Sequence, residues 1–209
     1  MLAERHHVEV LGFELPELDE LAVGEFALAV DDVLTRHPIT DLGTVAVADL
    51  HTDAEPPEEP RIVLWSRDPD TTPQQSSIVL DLRAAKGSSQ SSGSTAEFDD
   101  RPIYAATARE FGRALDAASD GAARAAAQRV LIRAYLELVA RPAGTDLAEV
   151  VGGYKQWRSQ LPGALVTGVF DPGAALRHGF ADVMLHGDSA SVPAQVLHAL
   201  LVAAARREG

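Results

Sequence analysis

The feature that most constrains the fold is the order in which strand-like and helix-like patterns follow one another. A helical spacing of apolar residues covers residues 18–35, and three short β-branched segments follow at 44–50, 61–66 and 77–82. Later segments show helical spacing at about 102–118, 122–140, 145–160, 172–186 and 193–207. A run of strands followed by a run of helices is typical of α+β proteins. The sequence therefore predicts an α+β fold with an N-terminal helix and a small sheet, followed by a mainly helical C-terminal half.

Length and composition indicate one domain. Of the 209 residues, 46% are hydrophobic, which is enough to bury a sizeable core. We therefore expect a single domain over residues 1–209, with two small domains as the alternative. Glycine and serine dominate the segment at about 86–97, and this composition predicts a flexible loop within the domain.

Charge and composition exclude several classes of partner and site. The chain carries 18 basic and 31 acidic side chains, so its formal net charge is −13. Such a field repels phosphate backbones, and we expect no nucleic-acid partner. The lack of cysteine excludes disulfides, thiolate metal sites and a cysteine nucleophile. No apolar run approaches the ~20 residues that span a bilayer, and the N-terminus lacks the layout of a secretory signal. We expect no membrane association and a cytoplasmic location, with export only through a partner or a missing segment.

One helical segment carries a motif. Residues 109–116 read Arg-Glu-Phe-Gly-Arg-Ala-Leu-Asp. This run resembles the active-site helix of zincin metallopeptidases, and most closely that of the lethal-factor-like domains of bacterial polymorphic toxins and phage-associated proteins. In those domains the helix typically reads His-Glu-Phe-Gly-His-Ala-Leu-Asp. Six of the eight letters match, and the two that differ are the histidines, which are replaced here by Arg109 and Arg113.

The resemblance extends beyond this helix and covers roughly residues 20–207. An Ala/Arg-rich segment at 121–129 is similar to the helix that follows in those families. In a later segment, at residues 171–183, the families carry a glutamate as third zinc ligand, and the two corresponding positions here are Ala174 and His178. The resemblance implies a zincin-like fold with a degenerate metal-binding motif.

The two arginines cannot act as zinc ligands. A zincin binds Zn²⁺ through neutral imidazoles at positions i and i+4 of one helix, and the glutamate after the first histidine is the general base for the metal-bound water. A guanidinium stays protonated and has no lone pair available for the metal. We therefore expect no catalytic residue, no bound metal and no cofactor. The resemblance implies a remnant site comprising Arg109, Glu110, Arg113, Asp116, Ala174 and His178.

Three interpretations of the arginines stay open. Arg109 and Arg113 can lie with Asp116 on the solvated face of an amphipathic helix. They can occupy the former cleft and pair with Glu110 or Asp116, so that they replace the charge of the metal. They can also bind an anionic group, because a guanidinium matches the geometry of carboxylate and phosphate.

Two further groups of side chains are candidates for a site. His178, Asp182 and His186 follow at intervals of four residues, so they share one side of a helix and could hold a metal. Packing and surface positions are the favoured interpretation, because the same helix needs its apolar residues for the core. Tyr154 and Trp157 lie three residues apart, and we expect core packing there rather than a binding surface.

These observations lead to one functional hypothesis and two alternatives. The favoured function is a catalytically inactive, zincin-like pseudo-metallopeptidase, related to toxin or phage proteins, that binds or regulates a protein partner. The first alternative is a hydrolase or peptidase that uses Glu110 in a non-standard site, with His178 as its partner. The second is a structural or assembly component, which a large apolar patch on the first or last helix would indicate. The oligomeric state stays open.

Overall fold

The chain divides into two compact units, Met1–Phe111 and Gly112–Gly209, and the boundary falls within one helix. The computed structural model describes residues 2–38, 42–50, 61–68, 75–87, 101–139, 146–161 and 163–208. The predicted flexible loop at 86–97 lies outside these ranges, except for Lys86 and Gly87. The prediction of a single domain stays a prediction.

The first unit combines helices with a mixed sheet. Its helices are α1 (Leu2–His6), α2 (Glu20–Arg36), α3 (Leu82–Ala85) and the first part of α4 (Pro102–Ala118). Its strands are β1 (Glu9–Leu11), β2 (Leu42–Ala48), β3 (Val63–Arg67) and β4 (Ser76–Asp81). Among the described residues the strand order is β1-β2-β4-β3. Strands β1, β2 and β4 are parallel, and β3 pairs with β4 in the antiparallel direction at one edge.

Local sequence explains the main elements of this unit. Asp19 begins α2, because its carboxylate accepts hydrogen bonds from the backbone N–H groups of Leu21 and Ala22. Apolar residues spaced three or four apart form the buried face of α2: Phe26, Ala29, Val30 and Val33. In the centre of the sheet, Val45 of β2 lies beside Ile78 of β4, and both are fully buried. Burial of parallel central strands accounts for their β-branched composition.

The second unit is mainly helical. It contains the remainder of α4, followed by α5 (Ala122–Leu138), α6 (Leu147–Arg158), α7 (Pro172–His186) and α8 (Val192–Glu208). A small hairpin of β5 (Leu165–Val166) and β6 (Val169–Phe170) separates α6 from α7 in the chain. Helices α5, α7 and α8 contact one another. Their shared core consists of fully buried side chains: Leu131, Leu176, Phe180, Leu197 and Leu201.

The predicted α+β fold class, with an N-terminal sheet and a helical C-terminal half, is confirmed. The six long helices begin and end within two residues of the predicted bounds. The sequence did not predict α1, β1 or α3, because elements of three to five residues are too short to show a period. No helix within the described ranges has the length and apolarity needed to cross a membrane.

Candidate remnant site

Helix α4 carries the motif, and the glutamate of the motif contacts the edge of the sheet. The Oε2 atom of Glu110 accepts a hydrogen bond from the backbone N–H of Trp65, with a distance of 3.0 Å. Trp65 lies on β3, the edge strand of the first unit. Glu110 and its neighbour Arg109 are half-buried, whereas Arg113 is exposed.

The register of β3 explains why Trp65 needs this partner. At the two ends of the strand, the N–H of Asp68 bonds to Gln75 at 3.0 Å, and the carbonyl of Ile62 accepts from Asp81 at 2.9 Å. Even-numbered residues of the strand therefore face β4, and the N–H of Trp65 points to the other side. A buried donor without an acceptor costs about 1–3 kcal/mol. The Glu110 carboxylate supplies this acceptor, so Glu110 stabilises the edge of the sheet.

The aspartate of the motif forms an ion pair within the second unit. Asp116 is 4% exposed, and its Oδ2 accepts hydrogen bonds from Nε of Arg124, at 3.1 Å, and from Nη2 of the same guanidinium. Arg124 lies in the first turn of α5. The interpretation that places Asp116 on a solvated face is therefore wrong, because the side chain is buried. Its pairing with Arg124 was not predicted.

The position of the third zinc ligand in the resemblance is closed by packing. Ala174 is buried in the first turn of α7, and its N–H donates to Oδ1 of the capping residue Asp171 at 2.8 Å. One turn later the ring of His178 is half-buried against Gly163. A Cβ atom at Gly163 would lie 2.3 Å from Nε2 of His178, so the ring occupies the space that a side chain would need.

Asp182 and His186 form a contact of their own at the C-terminal end of α7. Nδ1 of His186 lies 2.7 Å from Oδ1 of the buried Asp182. The other oxygen of Asp182 accepts from both the backbone N–H and the hydroxyl of Ser191, at 3.1 and 2.9 Å. Ser191 directly precedes α8, so the carboxylate fixes the connection between α7 and α8. In the part of the chain that the structure describes, no group of three or more His, Asp or Glu residues is arranged to hold a metal ion.

The aromatic residues of α6 pack in the second unit, as predicted. Trp157 and Tyr154 both contact Tyr135 of α5, with centroid distances of 5.7 Å to each ring. Gly153 lies beside this cluster, and a Cβ there would be 2.1 Å from the Tyr135 hydroxyl oxygen. The roles of Tyr135 and Gly153 were not visible in the sequence, because they belong to different helices.

The start of α4 has a further polar contact that the sequence did not reveal. The backbone N–H of Tyr104 donates to Oε1 of Glu25 at 2.7 Å, and its hydroxyl donates to Oδ2 of Asp32 at 2.8 Å. Burial, followed by the hydrogen bond and the negative charge of Asp32, raises the pKa of Tyr104 to about 12. The guanidinium of Arg101 lies 4.1 Å above the centre of the ring. These contacts anchor the first turn of α4 to α2.

The candidate residues therefore fall into two local settings. Arg109 and Glu110 belong to the first unit, where Glu110 bonds to the sheet. The other four belong to the second unit: Arg113, Asp116, Ala174 and His178. Of these, Asp116 forms the ion pair with Arg124. Comparisons with known protein families, curated proteins and solved structures found no match to this chain.

Proposed function

We propose that this chain is a zincin-like protein without catalytic activity, which acts as a binding or regulatory module for a protein partner. The observation that carries the proposal is the hydrogen bond from the Trp65 N–H to Glu110. A general base needs its carboxylate directed at the water that it deprotonates. Here one oxygen of that carboxylate is used to satisfy the edge of the sheet, so the motif glutamate serves the fold.

The charges at the motif support the same proposal. Arg109 and Arg113 stand at the positions of the two histidine ligands in the resemblance. Guanidinium groups donate hydrogen bonds and carry positive charge, so they oppose the approach of a dication. Ala174, at one of the two positions of the third ligand, has no donor atom in its side chain. The net charge of −13 favours a protein partner over a nucleic acid. A relation to toxin or phage proteins and a cytoplasmic location are parts of this proposal.

The test restores the missing ligands and compares them with a matched pair elsewhere. In the variant R109H/R113H, two histidines occupy positions i and i+4 of α4. The control R129H/R133H places the same pair on the exposed face of α5. Zinc affinity is measured by isothermal titration calorimetry on untagged protein. We expect no tight zinc binding by the unmodified chain, and tighter binding by R109H/R113H than by the control, because a remnant site retains more than an isolated histidine pair.

Adding A174E to both double variants sharpens the comparison. In the resemblance this substitution supplies the third ligand only to the α4 pair, so only R109H/R113H/A174E should gain further affinity. Circular dichroism checks that each variant folds, and the double variants decide the question if the buried glutamate disrupts α7. Equal affinities for the α4 and α5 pairs would refute the zincin-like interpretation. Stoichiometric, tight zinc binding by the unmodified chain would refute the loss of the metal site.

A further inference from the structure

The outer face of α5 forms a shallow apolar groove. Its volume is about 400 Å³, and among the described residues it is lined by Arg129, Ile132, Arg133, Leu136 and Glu137. Ile132 and Leu136 lie one turn apart and are 39% and 37% exposed. The buried residues of α5 lie on its opposite side. This helix therefore presents a second apolar stripe that the core of its own unit does not cover.

Helix α5 is also positively charged in a strongly acidic chain. It carries three arginines and one glutamate, whereas the chain as a whole has a net charge of −13. Arg124 is paired with Asp116, and Arg133 bonds to Glu137 at 2.8 Å. Within the described ranges, Arg129 makes no hydrogen bond or ion pair. The groove is thus an apolar surface beside unneutralised positive charge, which fits an acidic apolar helix.

The outer face of α2 has this complementary character. Leu21 and Leu28 lie two turns apart and are 84% and 47% exposed. Gly24 lies between them, and a Cβ built there would meet no described atom within 4 Å. Glycine inside a helix costs about 0.5–1 kcal/mol relative to alanine. No described contact of the chain requires this glycine, but its missing side chain lets another helix approach closely.

The charge of α2 is opposite to that of α5. It contains four acidic residues and one arginine. Glu25 and Asp32 accept hydrogen bonds from Tyr104, and Asp31 pairs with Arg5 and His6. Glu20 is exposed beside Leu21 and makes no ion pair within the described residues. Like the groove of α5, this face has apolar residues at intervals of whole turns, flanked by charges. The two faces therefore place charges of opposite sign beside exposed apolar side chains.

We propose that α2 of one copy of this chain docks in the α5 groove of a second copy. Leu21 and Leu28 would lie on either side of Ile132 and Leu136, with Gly24 between the two leucines. Glu20 would lie near Arg129. Each copy carries both faces, so association joins two different surfaces rather than a face with itself. The proposed binding function does not depend on this contact, because it rests on Glu110 and the motif arginines.

A charge-reversal cycle tests the proposal. Sedimentation equilibrium measures the self-association constant of the unmodified chain and of E20R, R129E and E20R/R129E. We expect self-association of the unmodified chain in the micromolar range, weakened roughly 3–10-fold by each single reversal. The double reversal should regain most of the affinity. The control K155E changes an exposed residue of α6 by the same charge as R129E, and should leave the association constant unchanged.

A second series tests the apolar contact. L21S removes the most exposed leucine of α2 and should weaken association about tenfold. The control L147S removes a leucine of α6 that is 68% exposed and lies on neither face, so it should have no effect. A chain that stays monomeric at all concentrations would overturn the proposal. Association that survives the single reversals, or that the double reversal fails to restore, would overturn it as well.

Discussion

Replacement of Glu110 tests whether the motif glutamate supports the fold. A hydrogen bond to a charged group contributes about 1.5–3 kcal/mol, and loss of the acceptor leaves the Trp65 N–H without its partner. Because Glu110 is half-buried, water can replace part of this interaction. We therefore expect E110A to lower the free energy of opening at this strand by about 1–2 kcal/mol. E110Q keeps a carbonyl acceptor at the same position and should lose less than half of that amount.

Hydrogen exchange of the Trp65 amide measures this effect directly. A loss of 1–2 kcal/mol corresponds to roughly 5–30-fold faster exchange. The control E137A removes an exposed carboxylate that pairs at the surface with Arg133, and should change the exchange rate of the Trp65 amide little. An unchanged Trp65 rate in E110A would refute the structural role of Glu110. Equal effects of E110A and E110Q would refute the importance of the acceptor itself.

Three further changes have predicted outcomes. D182A removes the acceptor of three hydrogen bonds and should lower the free energy of unfolding by about 2–3 kcal/mol in urea titrations, whereas D182N should lose less. The raised pKa of Tyr104 stabilises the fold below pH 10, and this contribution is lost as the pH rises towards about 12. Y104F should therefore show less alkaline loss of stability between those pH values. G24A should raise the free energy of unfolding by about 0.5–1 kcal/mol. G153A should lower it, because the added Cβ would lie 2.1 Å from the Tyr135 hydroxyl oxygen. A less stable G24A or a more stable G153A would contradict these assignments.

Helix positions could be predicted because the helical period of 3.6 residues places apolar residues at short, regular intervals in the sequence. The apolar face of α2 and the breaks around α5 are of this kind. The order of strands in a sheet produces no such local pattern, because it pairs residues that are far apart in the sequence. The three residues of β1 pair with β2 in parallel across more than thirty residues, and β3 is placed at the edge although it precedes β4 in the chain. These pairings are decided by burial of both faces of the central strands.

The contacts of the candidate site were harder to predict for the same reason. Trp65 and Glu110 are 45 residues apart, and only the register of β3 decides that the N–H of Trp65 points away from β4. Tyr104 lies 79 residues from Glu25. A sequence identifies which side chains could accept or donate, but it does not state which backbone donors an edge strand leaves open.

Packing explains the apolar residues and the glycine of the α4 motif in this chain. Phe111 and Leu115 are fully buried, and Ala114 is nearly so. A Cβ at Gly112 would lie 3.1 Å from Cα of Arg177 and 3.2 Å from Cβ of Phe180, so α7 approaches α4 where only glycine fits easily. Packing therefore accounts for four of the six residues shared with the zincin motif: Phe111, Gly112, Ala114 and Leu115.

The two acidic residues of the motif are also explained by contacts in this structure. Glu110 bonds to the edge of the sheet, and Asp116 binds Arg124. Arg109 is half-buried and Arg113 is exposed, so neither position is constrained by a tightly packed core. In an active zincin those two positions hold the histidines that bind the metal. The residues that this helix shares with the zincin motif are thus those that the fold uses, and the two that differ are at the metal-binding positions, which supports the proposed inactive module.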